Sequence, residues 1–439
     1  MPHGIKISGE SCRGCVNCIK ACPTEAMRVI HGQLHIIDER CIACGECLRI
    51  CRHRAISLEE SEWNSIAADN RSMPLVTDPA LCTQFSWPPD PGILKDILMA
   101  VGFEPIFEDT ALAFDLAAMA QARILDEHDS RELPMISTYC PSVVRLIQIR
   151  FPELIHNLSP AETPLETSVD LWRTRHNRYD IPSTLVAPCP ARITMAIRPV
   201  GRETSSIDNV VSTARVAKEI LSKNCSPSRE STIPGRDSRW VHWSVSGGEA
   251  GHIRMFEKRP LKTLAVSGLR NVVGILQEIE LRRLKGVDFI EARMCDMGCI
   301  GGIANAESPF LSRLKVEDYP FAREIDKEEM AILEDLYQAG VWKLQQEILP
   351  IEQIPLGKDM AKAMEKLSEL QSVYAELPHL DCGTCGRPTC RVMAEDIVRG
   401  EASLDDCIFR LRKRMGDLSQ ELNELSKRFV HTMTPEGKE

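Results

Sequence analysis

The pattern of apolar and polar positions divides the 439-residue chain before any composition is counted. Near its end, Ile408, Leu411, Met415, Leu418, Leu422, Leu425 and Phe429 recur at alternating spacings of three and four. A seam sustained over three heptads, with leucine at every d position, predicts a long helix suited to coiled-coil pairing. Upstream, Ala363, Leu367, Leu370, Tyr374 and Leu377 recur at 4-3-4-3 and predict a helical connector. The alternative for both is an amphipathic helix packed on its own domain. Between them, Thr389 to Gly400 is helical in period and ends on a glycine suited to a C-cap. In the middle of the chain, short apolar runs lead into Cys140 and, through Ser183–Ala187, into Cys189. Each cysteine is followed by proline, and such runs read as buried strands. Residues 223–239 (KNCSPSRESTIPGRDSR) read as a surface loop. No apolar run approaches the ~18 residues of a membrane span. The N-terminal MPHGIKISGESCRGC has no apolar stretch typical of a signal peptide.

Composition changes this picture in one respect. The chain is 43% hydrophobic and 26% charged, ordinary globular usage, and its length suggests about three domains. A net charge of −10 argues against a general nucleic-acid binder. The 18 cysteines are the informative number. They are too few for a small disulfide scaffold, and in a cytoplasmic chain they point to metal or redox chemistry. Eight fall in residues 12–51, four in 140–299 and four in 382–407, while Cys82 and Cys225 stand apart as buried or incidental.

Cys12, Cys15, Cys18 and Cys22 follow C-x2-C-x2-C-x3-C with Pro23 next; Cys41, Cys44, Cys47 and Cys51 repeat the spacing with Arg52 in place of proline. This is a doubled bacterial ferredoxin run, in which the fourth cysteine of each copy ligates the other cluster. Cys12, Cys15, Cys18 and Cys51 are therefore assigned to one [4Fe–4S] cluster, and Cys41, Cys44, Cys47 and Cys22 to the second. Two complete runs leave little room for a zinc reading. Cys382, Cys385, Cys390 and Cys407 follow C-x2-C-x4-C-x16-C, and all-thiolate ligation suits zinc or iron–sulfur. The DCGTCGRPTC core resembles the four-cysteine [4Fe–4S] module of anaerobic redox proteins, which favours a cluster. The middle four are open on spacing alone. Cys295 and Cys299 could share a helical face or bracket a glycine-rich loop. Cys140 and Cys189, at strand ends, would meet at one end of a sheet. Ordinary buried cysteines are the competing explanation.

Residues 75–325 resemble the catalytic domain of [FeFe]-hydrogenases through five landmarks in the family's order. These are GFEPIFEDTALAFDLA, the segment around STYCPSVV with FPELIHNLSP, VAPCPARI, SVSGGEAG and DFIEARMCDMGCIGGIANAESP. The resemblance implies an α/β H-cluster domain, preceded by an α+β ferredoxin domain and followed by an α-helical [4Fe–4S] module with a coiled-coil helix. It implies the boundaries 1–62, 75–325, 326–378 for the connector, 379–407 and 408–430. It matches Cys140, Cys189, Cys295 and Cys299 to the four cubane ligands of the H-cluster, with Cys299 bridging to a diiron unit carrying CO and CN. Four [4Fe–4S] clusters in all are implied.

The departures sit around the diiron position. Tyr139 replaces the proton-transfer thiol, and a phenol, with a pKa near 10 against ~8.5, is the poorer relay. The helix LAAMAQARIL (116–125) lacks the relay acids, although Ser159 matches the relay serine. Arg192 replaces the lysine that contacts a cyanide, and Ala187 and Arg293 replace methionines. An APAVR-like first stretch has only TQFSWPPDPG (83–92) standing near it.

Loss of general acid–base help, worth ~10²–10⁴-fold, would slow turnover. The layout resembles the sensory hydrogenases, so the first reading is a low-turnover, cytoplasmic H2 or redox sensor of anaerobic context. It would pair as a homodimer through the C-terminal helices and pass electrons to a redox or signalling partner. The second reading is a metabolic hydrogenase exchanging H2 and protons with ferredoxin by another proton route. The third is an electron-transfer subunit with cubanes and no diiron unit. Catalytic residues on the first reading are Cys299, Tyr139 and Arg192.

Overall fold

A computed structural model describes residues 3–67, 73–85, 91–127, 134–223, 238–321, 325–351, 356 and 359–433. Cys225, most of the 223–239 loop and residues 86–90 of the TQFSWPPDPG stretch lie outside the described residues. Packing groups the chain into two compact units. The first comprises residues 1–6, 42–49 and 56–351, and the second residues 7–41, 50–55 and 352–439.

The first unit is α/β. Four parallel strands lie in the order Phe103–Pro105, Met73–Thr77, Thr184–Ala187 and Asn209–Ser212. A separate parallel sheet runs Thr263–Ser267, Phe289–Arg293, Met135–Ile136. Met73–Thr77 and Phe289–Arg293 are buried at every residue, as expected of strands covered on both faces. Helix Phe107–Glu127 contains the expected 116–125 stretch, and its many alanines allow close packing along its buried length. Trp172, Trp240, Trp243 and Phe114 anchor the main core. Large apolar side chains of this kind stabilise by about 1.5–3 kcal/mol each when fully buried.

The sequence places Cys140 and Cys189 at one end of a single sheet. They stand instead at the carboxyl ends of strands from two sheets. The reason is local: the strand before Cys140 is only Met135–Ile136, and it pairs with Phe289 and Ile290 rather than with the Thr184 strand.

The second unit contains the hairpin Met27–Ile30 with Gln33–Ile36, turned by His31 and Gly32, both at positive φ, and the short helix Asn17–Ala21. It also holds helices Met360–Glu376, Cys390–Arg399 and Ile408–Met433. Thr389 caps the middle helix by accepting from Val392 N, and Gly400 closes it at φ 80°. Leu370, Leu377, Met393, Ala394 and Val398 form a small core with Cys390 and Cys407. The seam residues Leu411, Met415, Leu418, Leu422 and Leu425 of the last helix are exposed.

Candidate metal centres

In the first unit, three strand ends and one loop deliver four thiols. Cys140 begins helix Pro141–Arg150 and Cys189 begins helix Pro190–Ile197, each with proline in the first turn. Cys295 follows the Phe289–Arg293 strand, and a short turn over Cys299–Gly301 carries Cys299. The two cysteines therefore bracket a loop rather than share a helix. Gly298 sits in it at φ 99°, where a Cβ would stand 2.8 Å from Ser244 O and from Ser246 N. Burial pushes the Cys189 thiol up to about 12, and Cys140 adds to the push. Cys295 is driven well above its ordinary value by burial and by Cys189 and Cys140; Cys299 by burial, Asp78 and Cys189. Desolvation and the neighbouring thiolates oppose ionisation of Cys189, Cys295 and Cys299, a penalty that a cationic iron core would reverse. Among the described residues, no three ligating side chains close on a point suited to one metal ion.

Beside Cys299 lies a dense charged cluster. The Tyr139 ring has the Arg192 guanidinium 4.1 Å from its centroid and that of Arg293 at 4.2 Å. All three side chains are at most 2% exposed. Tyr139 Oη donates to Asp78 Oδ2 at 3.3 Å, and Arg192 Nε lies 3.5 Å from the same oxygen. Arg293 pairs with Glu249 at 2.9 Å and Glu291 at 3.3 Å. Phe114 and Trp243 close on the Tyr139 ring edge-to-face. Burial and Asp78 push the phenol well above its ordinary value. Burial works against charge on Arg192, but Tyr139, Asp78 and Cys299 keep it protonated. Burial raises Glu249 to about 7 even though Arg293 opposes it. Arg192 Nη2 and Arg293 Nη1 are buried without a hydrogen-bond partner among the described residues.

Asp78, Glu249 and Glu291 were not singled out from the sequence. Asp78 follows the Met73–Thr77 strand and caps the turn Pro79–Thr83, which brings its carboxylate to Tyr139 and Arg192. Its signal was a lone acid between an apolar strand and a proline. Helix 116–125 has no acid, as read, but Gln121 donates to Glu249, which also accepts from Ser137 at 2.6 Å. Ser159 is buried and its Oγ accepts from Ala161 N. Ala187 is buried at the end of its strand.

The second ferredoxin loop, residues 42–49, packs in the same unit. Cys44 and Cys140 lie against one apolar cluster, Ser142 Oγ donates to Ile42 O at 3.0 Å, and Arg49 Nη2 donates to Gly301 O at 2.8 Å. Cys44 and Cys47 thus belong to the first unit, and Cys22 and Cys41 to the second.

In the second unit, burial raises the Cys18 thiol to about 11, with Cys15 and Cys12 adding. Gly14 and Val16 take positive φ in this loop, as Ala43 and Gly45 do in its repeat. Cys51 lies in the same unit. Cys382, Cys385, Cys390 and Cys407 all line one small pocket, together with Leu377, Pro378 and Met393. Four thiols on one lining are a donor set that suits a [4Fe–4S] cluster or a zinc ion.

The family model for the C-terminal domain of the iron-only hydrogenase large subunit matches residues 76–250 and 244–303, more than half of the chain. The chain belongs to the iron-only hydrogenase family. A 4Fe-4S dicluster model matches residues 4–52 and an Fe-S cluster model residues 377–409. Among curated relatives, iron hydrogenase 1 of Clostridium pasteurianum is 25% identical over 213 residues, 46% of this chain and 36% of that protein. The NADP-reducing hydrogenase subunit HndD of Solidesulfovibrio fructosivorans is 22% identical over 218 residues, 44% of this chain and 37% of that protein. This chain therefore spans little more than a third of the length of these relatives. A variant of [FeFe]-hydrogenase HydA1 from Chlamydomonas reinhardtii aligns at TM-score 0.49 and 16% identity, covering 64% of this chain and 95% of that one.

Membership in this iron-only hydrogenase family implies an H-cluster, and its two halves meet different surroundings here. Cys140, Cys189, Cys295 and Cys299 fit the cubane. The diiron half does not fit as well: beside Cys299 stand two arginines and a tyrosine, stacked, fully desolvated and tied to Asp78 and Glu249. No helix of the described residues is long and apolar enough to cross a membrane.

Proposed function

We propose that this chain is an iron–sulfur electron relay built on the hydrogenase scaffold, with cubanes at its cysteine quartets and a charged side-chain cluster at the diiron position. One observation carries the reading: Tyr139 is held between Arg192 and Arg293 beside Cys299, with Asp78 on its hydroxyl. Cation–aromatic contacts of desolvated arginines reach about 2 kcal/mol each, so this is a settled packing arrangement and not a loose cavity. The bound clusters would accept and release single electrons. The protein's own part is to hold the thiols in desolvated positions and to place two guanidinium charges beside the cubane, which favours its reduced, more negative form. The relay serves a redox or signalling partner in an anaerobic cytoplasm, and its exposed leucine seam pairs two copies through helix Ile408–Met433.

Infrared spectroscopy of protein produced with the hydrogenase maturation machinery tests this. The relay reading expects no CO or CN stretching bands; their presence would overturn it. The second reading, a slow H2 sensor with a complete H-cluster, is favoured by the unpartnered Arg192 Nη2 and Arg293 Nη1, donors that anionic diatomic ligands would satisfy. H2 turnover near that of metabolic enzymes would exclude both in favour of a metabolic hydrogenase.

A further inference from the structure

The second unit brings together two cysteine loops from opposite ends of the chain. Val29 N, in the ferredoxin hairpin, donates to Gly386 O at 2.8 Å, so the hairpin is extended by the loop that carries Cys385. Gly386 sits at φ 79°, and a Cβ there would stand 1.9 Å from Val29 O. Gly383, between Cys382 and Cys385, meets the first ferredoxin loop on its own side. A Cβ on it would lie 3.0 Å from Lys20 Cε and 3.7 Å from Val16 Cγ2. Val16 and Lys20 flank Cys18 in the first ferredoxin loop. Thr389 Oγ1 donates to Glu25 Oε1 at 3.4 Å.

Asp396 locks this contact. Its carboxylate, 2% exposed, accepts from Arg28 at 2.7 and 3.1 Å and from Arg387 at 3.0 Å. Arg28 also donates to the carbonyls of Glu25 and Met27, and Arg387 to those of Cys385 and Glu401. One buried carboxylate thus ties the ferredoxin hairpin to the C-terminal cysteine loop through two guanidiniums. Arg40 and Glu395 form a second ion pair across the same contact. Bidentate, desolvated charge pairs of this kind fix geometry. The nearest atoms to a Cβ on these two glycines come from Val29, Val16, the Lys20 stem and the Arg387 carbonyl.

We infer that the quartet Cys382, Cys385, Cys390 and Cys407 exchanges electrons directly with the quartet Cys12, Cys15, Cys18 and Cys51, and that Asp396 is the positioning residue for the transfer. One electron leaves one cluster, which is oxidised, and enters the other, which is reduced; nothing else is consumed. The inference requires clusters at both quartets. It does not depend on what occupies the space beside Cys299, so it survives if the infrared experiment favours the H2 sensor.

The test is electron paramagnetic resonance of the full chain, loaded with iron and sulfide and fully reduced. A magnetic interaction between the two clusters is expected, seen as broadening of the Cys12–Cys15–Cys18–Cys51 signal. That broadening is lost in a Cys382→Ala, Cys385→Ala variant. Asp396→Asn and Gly386→Ala keep every thiol; each is expected to retain the iron content of the parent and to weaken the interaction. A parent spectrum equal to the sum of the two clusters measured separately would overturn the inference. So would zinc in place of iron at the C-terminal quartet. An unchanged interaction in both Asp396→Asn and Gly386→Ala would remove the positioning role.

Discussion

Two four-thiol sites in this chain use charge in opposite ways. Around Cys140, Cys189, Cys295 and Cys299, the charged groups crowd in beside the ligands: Arg192, Arg293 and Asp78 are desolvated and act directly on Cys299. Around Cys382, Cys385, Cys390 and Cys407, buried ion pairs of Arg28, Asp396 and Arg387 tie the ligand loop down, and of these three residues only Arg387 lines the pocket with the thiols. The first arrangement alters what the site can hold and at what potential. The second fixes where the site sits, and of its ion-paired groups Arg387 also acts on Cys385. The same four-thiol donor set therefore stands in two different electrostatic settings, one in each unit.

The largest effect that could break this contrast concerns Tyr139. If proton delivery alone were missing, Tyr139→Cys would raise H2 turnover by ~10²–10⁴-fold. The crowded site predicts instead that turnover, followed as H2 uptake with an artificial acceptor, stays at background. A gain in that range would mean the charged cluster coexists with a working diiron unit.

Next in size is the cost of orphaning buried charge. Asp396→Ala leaves Arg28 and Arg387 without their carboxylate and should destabilise the second unit by about 3–5 kcal/mol. Arg293→Met leaves Glu249 and Glu291 unpaired and should cost the first unit a similar amount. Calorimetry of the two variants should lower different transitions; lowering of the same one would deny that the sites belong to separate compact units.

A smaller effect distinguishes the sites by pH. Glu249 is raised from 4.5 to about 7, so the folded chain holds this proton more tightly than the unfolded chain. Its contribution is fully present below pH 4.5 and is lost as pH rises towards about 7, with a slope of at most ~1.4 kcal/mol per pH unit. Glu249→Gln should flatten that part of the stability profile. The same slope in the variant would assign it to another group.

The smallest expected effect on the centres is removal of everything after Cys407. Iron content should match the full chain while the particle mass falls from dimer to monomer in light scattering. A truncated chain that stays dimeric would place the interface elsewhere.

The sequence made the candidate ligands legible and left their surroundings hidden. Cysteine spacing is a local property, so the ferredoxin repeat and the C-terminal quartet can be read without a fold. The Thr389–Gly400 helix is equally local, with its cap and its glycine stop both in the text. The positions of Tyr139, Arg192 and Arg293 were visible as departures from a family pattern, but their stacking was not. That stacking depends on two sheets ending at one place. Asp78 was missed because its importance comes from Arg192, 114 positions away, and Glu249 because its partner is Arg293. The Arg28–Asp396 pair spans 368 positions and has no sequence signature at all. Short-range chemistry is written in spacing; long-range charge pairing is written only in topology.

Cys407 is the last thiol of its quartet, and Leu411 N donates to its carbonyl at 2.8 Å, making it also the root of helix Ile408–Met433. At 1.5 Å per residue, the 26 residues of that helix form a rod about 39 Å long. A tilt of about 5° at the root displaces the far end by about 3 Å. With a cluster at this quartet the tail would be a lever rooted in one of its ligands, and a small tilt at that thiol would emerge at the tip as a movement the size of a side chain.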